Sequence, residues 1–157
     1  MKHALVVFAL ALLTACGAPS QGASSSAGSS AQTPGAKIEI SNPWALATPG
    51  GVTTAAGYLT IVNHGADADT LLGVDSPRAN SVDVHNMIMQ DGMMAMRPAG
   101  ALVIPPGGTL TLAPGGLHLM FNGITAPFAE GDTIAVTLHF DHGGDVSVNL
   151  PVRRAAP

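Results

Sequence analysis

Five of the seven methionines in this 157-residue chain, Met87, Met89, Met93, Met94 and Met96, fall within ten residues, and His85 lies just ahead of them. A second pair, His118 and Met120, follows in the stretch GGLHLMF. Thioethers are soft, neutral donors that need no deprotonation, and imidazole adapts to several metals. Histidine and methionine without thiolate therefore form a ligand set suited to Cu(I). Zinc favours thiolate or carboxylate beside histidine, and a blue-copper electron-transfer centre needs a cysteine near its histidines. The one cysteine, Cys16, is far along the chain from both stretches. Methionine also fills irregular cores and builds adaptable binding surfaces, so residue types alone leave metal binding and packing both open.

Spacing narrows the choice. Asp91-Gly92 is a strong signal for a two-residue hairpin turn. With those two residues as the loop, Met89 opposes Met94 and Met87 opposes Met96. Side-chain alternation then puts His85, Met87, Met89, Met94 and Met96 on one face, with Ile88 and Ala95 on the other. His118 and Met120, two apart on a strand, share a face that Leu117, Leu119 and Phe121 do not. Along the chain, ten residues separate His85 from Met96, twenty-one separate Met96 from His118, and one separates His118 from Met120.

This His-x10-Met-x21-His-x-Met pattern resembles the signature of the PCu(A)C family of periplasmic copper chaperones. The stretches VHNMIMQDGMMAMRP, IPPGGTLTLAPGGLHLMF and VTLHFDHGGDVSVNLPVR are similar to that family too, so the resemblance covers about Lys37 to Arg153. It implies a cupredoxin-like fold and one Cu(I) per domain, held by His85, Met96, His118 and Met120. It also implies delivery of copper to cuproenzymes, chiefly the binuclear copper centre of cytochrome c oxidase. An oxidase subunit or a Sco-type assembly protein would be the acceptor. Met89 and Met94 match positions commonly methionine in the family, whereas Met87 is an addition. All three are read as site lining or secondary metal positions. A soft site of this kind serves copper sequestration as well as delivery, and a methionine face without metal could serve an interaction lipoprotein.

The elements that must position these residues are strands. The charged fraction is only 10%, and 19 Gly with 12 Pro punctuate short alternating runs such as AGYLTIVN, DTLLGVDS, GTLTLAP and DTIAVTLHF. Such runs, with PPGG and APGG turns between them, predict an all-β, antiparallel sandwich or barrel, monomeric and without an internal repeat. The net charge of −4 and the scattered basic residues offer no surface for nucleic acid. No nucleophile, base and orienting group stand together as a hydrolase requires, so no enzyme activity is expected.

Ahead of the domain, Lys2 and His3 precede the apolar run Ala4–Leu13, and the following LTAC resembles the lipobox of bacterial lipoproteins. The expected organisation is a signal peptide over 1–15, a lipidated Cys16 with a Gly/Ala/Ser-rich flexible linker to residue 36, and a β domain over 37–157. The mature protein would be exported and anchored by acyl chains on the periplasmic side of a membrane. Secondary candidates carry less. His139, Asp141 and His142 could hold a harder ion, His64 suits an exposed turn, Trp44 and Tyr58 suit the core, and Arg153-Arg154 suits a solvated strand end.

Overall fold

A computed structural model describes residues 37–90 and 92–156. The expectations of a signal peptide, a lipidated Cys16 and a linker fall on residues outside those described, as does the conformation of Asp91. Among the described residues there is no helix, and the alternating runs form ten strands. These are β1 (Ile38–Leu46), β2 (Thr54–Asn63), β3 (Asp69–Asp75), β4 (Ser81–Gln90), β5 (Met93–Pro98), β6 (Leu102–Ile104), β7 (Thr109–Leu112), β8 (His118–Asn122), β9 (Thr133–Phe140) and β10 (Gly144–Arg153).

Seven of them form a closed ring. The order β4-β8-β2-β1-β10-β9-β3 returns to β4 through the pair Val74↔Val82. The hairpin strand β5 hangs on β4, β6 on β3, and β7 shares an edge of β2 with β8. The expected all-β sandwich or barrel is therefore what forms. Among the described residues the pairs are antiparallel except β1 with β10, which run parallel through Ala45↔Val152 and Leu46↔Arg153. These are the first and last described strands, so no hairpin dictates their relative direction.

Inside the ring, alternate residues bury an apolar core. Ile134, Val136, Leu138 and Phe140 point inward from β9, and Val148, Leu150 and Val152 from β10. Leu119 and Phe121 are fully buried from β8, and Phe121 meets Phe128 edge-on with ring centres 5.3 Å apart. Gly57 on β2 lies over this core, where a Cβ would come within 2.8 Å of Phe121 and 2.9 Å of Leu150.

β1 runs on from the alternating stretch KIEIS as far as Leu46. Its register on β2 shifts between Ser41 and Trp44, and Asn42 there takes a left-handed φ of 49°. That bulge lets the strand continue past Pro43. Trp44 then stands opposite Tyr58 with ring centres 4.4 Å apart, and both are buried, but Tyr58 lies on the strand face opposite to that of Gly57 and neither joins the core cluster inside the ring.

The β4–β5 hairpin has the register that the Asp91-Gly92 turn predicts. Met89 opposes Met94, Met87 opposes Met96, and Ile88 opposes Ala95. Gly92 carries a φ of 78°, which glycine adopts at no steric cost. β4 pairs with β8 only from Ser81 to His85, while its pairing with β5 runs from His85 to Gln90. Past His85 the hairpin thus leaves the ring and projects beyond its rim.

Candidate metal centre

The ligand candidates meet where the hairpin leaves the ring. On adjacent antiparallel strands, His85 and His118 oppose each other, and their rings stand edge to face with centres 6.1 Å apart. Two imidazoles sharing one metal at about 2.0–2.1 Å per nitrogen place their ring centres roughly 6 Å apart. Met120 is two residues along β8 from His118 and opposes Ala56 on β2, so it shares the histidine's face. Met96 comes from β5, across from Met87.

Both histidines have a nitrogen prepared for a ligand. His118 is buried, and its Nδ1 lies 3.0 Å from the carbonyl oxygen of Gly116. A carbonyl can only accept, so Nδ1 carries the proton and the lone pair is left on Nε2. Gly116 stands at the end of a tight turn in which its N–H donates to the Ala113 carbonyl. Its own carbonyl also accepts the Met87 N–H at 3.3 Å, which ties the hairpin strand to the anchor of the His118 ring. His85 differs. Its Nδ1 is buried with no hydrogen-bond partner. An unsatisfied buried nitrogen of this kind costs about 1–3 kcal/mol, which coordination to a soft cation would offset.

An open, mainly apolar depression of about 450 Å³ borders this cluster, lined by Met87, Met96, His118 and Met120. Leu46, Pro49, Val52 and Tyr58 form its other wall. Burial pushes the Tyr58 phenol above its ordinary value, so the wall stays uncharged at neutral pH. Among the described residues, no three His, Cys, Asp or Glu side chains are grouped to hold a metal. A harder cation therefore finds no such donor set there, while the mixed imidazole and thioether set suits Cu(I).

Not every sequence candidate gathers here. Met89 and Met94 stand one step further out on the hairpin, are exposed, and do not line the depression. Met87, read from sequence as an addition, does line it. The Gly116 carbonyl and Tyr58 also belong to the site. The APGG turn just ahead of His118 was the one sequence signal for Gly116, whereas Tyr58 joins only because β2 lies beside β8.

The residues read as a possible harder-ion site are split. His139 is held between two carboxylates on neighbouring strands, with Nδ1 2.7 Å from Asp145 and Nε2 2.9 Å from Asp75. These hydrogen bonds, that to Asp145 foremost, raise the imidazole above its ordinary value. His142 sits apart, 3.6 Å from Asp141 and 3.8 Å from Asp69. Burial works against ionisation of Asp69, but N–H donation from His142, Thr70 and Gly143 outweighs it and keeps the carboxyl below its usual range. His64 is exposed as expected and pairs with Glu39 at 2.7 Å.

Comparison with known proteins identifies the family and the fold. The family model described as "Putative lipoprotein LpqE-like" matches residues 38–152, from the first strand almost to the end of the last. The chain belongs to the LpqE-like family. It is 36% identical over 135 residues to "Putative lipoprotein Lxx21020" of Leifsonia xyli subsp. xyli, covering 79% of this chain and 76% of that one. The solved copper-bound PCuAC domain from PmoF2 is 31% identical with a TM-score of 0.65, over 76% of this chain and 94% of the domain. DR1885 from Deinococcus radiodurans is similar as well. Its apo form is 28% identical with a TM-score of 0.59, over 92% of this chain and 95% of that chain. Its Cu(I) form is 30% identical with a TM-score of 0.58, over 73% and 76%. The PCu(A)C resemblance carried by the His and Met spacing thus extends to the fold of this LpqE-like chain.

Proposed function

We propose that this chain is an extracytoplasmic Cu(I) carrier whose ion is held by His85, Met96, His118 and Met120. The observation that supports this most is the pairing of the two histidines at the ring's rim, one with an unsatisfied buried nitrogen and one with its tautomer set by Gly116. The solved relatives that carry copper, from PmoF2 and Deinococcus radiodurans, support the choice of metal.

Holding and releasing the ion need no catalysis. The four donors are neutral, so binding Cu(I) does not require a thiol or carboxylate to lose a proton. Met96 is half exposed at the edge of the site. An acceptor approaching that side would replace one donor at a time, with copper briefly shared. Tethering through Cys16, the anchor expected from the sequence, would keep the carrier near membrane-bound acceptors. The acceptor that the resemblance favours is the binuclear copper centre of cytochrome c oxidase, reached directly or through a Sco-type protein.

Anaerobic titration with Cu(I) against a competing chelator tests the site. The native protein is expected to hold one equivalent, and Met96→Ala and His118→Ala are each expected to lose it at chelator concentrations the native protein withstands. Equal retention by all three proteins would sink the four-ligand assignment. Delivery is tested in a copper-limited deletion strain, where oxidase copper should fall. Normal oxidase with heightened copper sensitivity would point to sequestration instead.

A further inference from the structure

We propose that the β4–β5 hairpin carries a second, labile Cu(I) position, formed by the exposed pair Met89 and Met94, through which the ion enters and leaves the rim site. The inference rests on the Cu(I) reading above and concerns the route rather than the resting ligands.

Two directly opposed thioether pairs follow one another along one hairpin face. Met87 opposes Met96 beside the histidines, and Met89 opposes Met94 one step outward. Side chains directly opposed across strands have Cβ atoms about 4.5–5.5 Å apart, so the two flexible thioethers of a pair can reach one ion. Successive pairs on a face are about 7 Å apart at a rise of 3.4 Å per residue, within the combined reach of unbranched methionine arms. Exposure rises steadily along this line, from 6% at His118 through 49% at Met96 to 54% at Met94 and 67% at Met89. The inner pair lines the depression and the outer pair does not, so the outer pair is what an acceptor meets first.

Met93 supplies an internal contrast. It is the most exposed methionine described, at 71%, yet it opposes Gln90 and so lies on the other face with Ile88 and Ala95. Simple apolar docking by the hairpin tip would use Met93 as readily as its neighbours. A route for copper would not.

Along the route the two Cu–S bonds formed to Met94 and Met89 replace the bonds to the neutral rim donors, the Met96 and Met120 thioethers and the His85 and His118 imidazoles, and the ion passes from four donors to two. The ion stays Cu(I), no electron moves and no proton is released. Because the outer pair offers two donors and no imidazole, it holds copper more weakly than the rim site, as an exchange position must.

The test uses the full chain labelled with 13C at the methionine methyls and titrated anaerobically with Cu(I). The first equivalent should move the Met96 and Met120 methyls, and further Cu(I) should move Met89 and Met94 together while Met93 stays in place. Stationary Met89 and Met94 signals, or an equal shift at Met93, would overturn the proposal. Kinetics give a second reading. The double variant Met89→Leu with Met94→Leu, which changes volume little, should retain Cu(I) within about threefold of native yet release it to a chelator at least about tenfold more slowly. Met93→Leu should match native in both. Native-like release by the double variant overturns the outer position alone. If native protein fails to take the first equivalent, the four-ligand reading falls and this one with it.

Discussion

His85 carries a local conflict. Its Nδ1 is buried and unpaired, a cost that the folded chain bears without an evident structural return. If the group is kept for copper, replacing it with an apolar side chain should separate stability from binding. His85→Leu is expected to leave the metal-free protein as stable as native or up to about 1–3 kcal/mol more so, while Cu(I) retention drops. Thermal melts of the apo proteins together with chelator competition check both halves. A loss of apo stability would mean that the imidazole has a structural partner after all.

His139 offers the opposite case, an imidazole satisfied on both sides. Its raised value in the folded state means that the Asp145 and Asp75 contacts contribute fully below the unfolded value of about 6.5. The contribution is lost as pH rises through the folded value. The melting-temperature advantage of native over His139→Gln should therefore be largest near pH 5.5 and shrink by pH 9. A constant difference would refute the assignment. At this scale residue type displayed the soft donors, and the family resemblance that their spacing carries implied the proposed four. Asp75 beside His139 was not legible, because it comes from a strand 64 residues away.

Among the elements, the hairpin was the most legible. Asp91-Gly92 together with the two-residue period determines which methionines oppose each other, and the observed register follows it pair by pair. β1 was less so, since the bulge at Asn42 that lets it pass Pro43 and reach Trp44 depends on pairing with β2. β2 carries its own constraint at Gly57. An added methyl there meets Phe121 and Leu150 side chains at under 3 Å, so Gly57→Ala should cost about 1–3 kcal/mol of overpacking. Urea unfolding measures this. An unchanged midpoint would show that the core at that point yields more readily than the packing implies.

For the molecule as a whole, the ring and the site use opposite faces of the same strands. On β8, Leu119 and Phe121 fill the core while His118 and Met120 face the site. Core damage should therefore lower stability without erasing the metal set. Phe121→Ala is expected to cost about 3–5 kcal/mol, yet to bind one Cu(I) wherever it remains folded. Loss of copper stoichiometry in the folded variant would show that the rim depends on the core more tightly than this separation implies.

Sequence by itself determined the strands, the hairpin register, the soft donor set and its alternation on one face. All of these follow from local periodicity, turn chemistry and ligand type. Tertiary structure decided which strand lies beside which. The β4–β8 contact that opposes His85 to His118, the β2 neighbour that adds Tyr58, and the Gly116 carbonyl that orients one imidazole all depend on ring closure between strands far apart in the chain. Alternation says which way a side chain points, but only the closed ring sets what it points toward, and so separates the inner methionine pair at the rim from the outer pair in solvent.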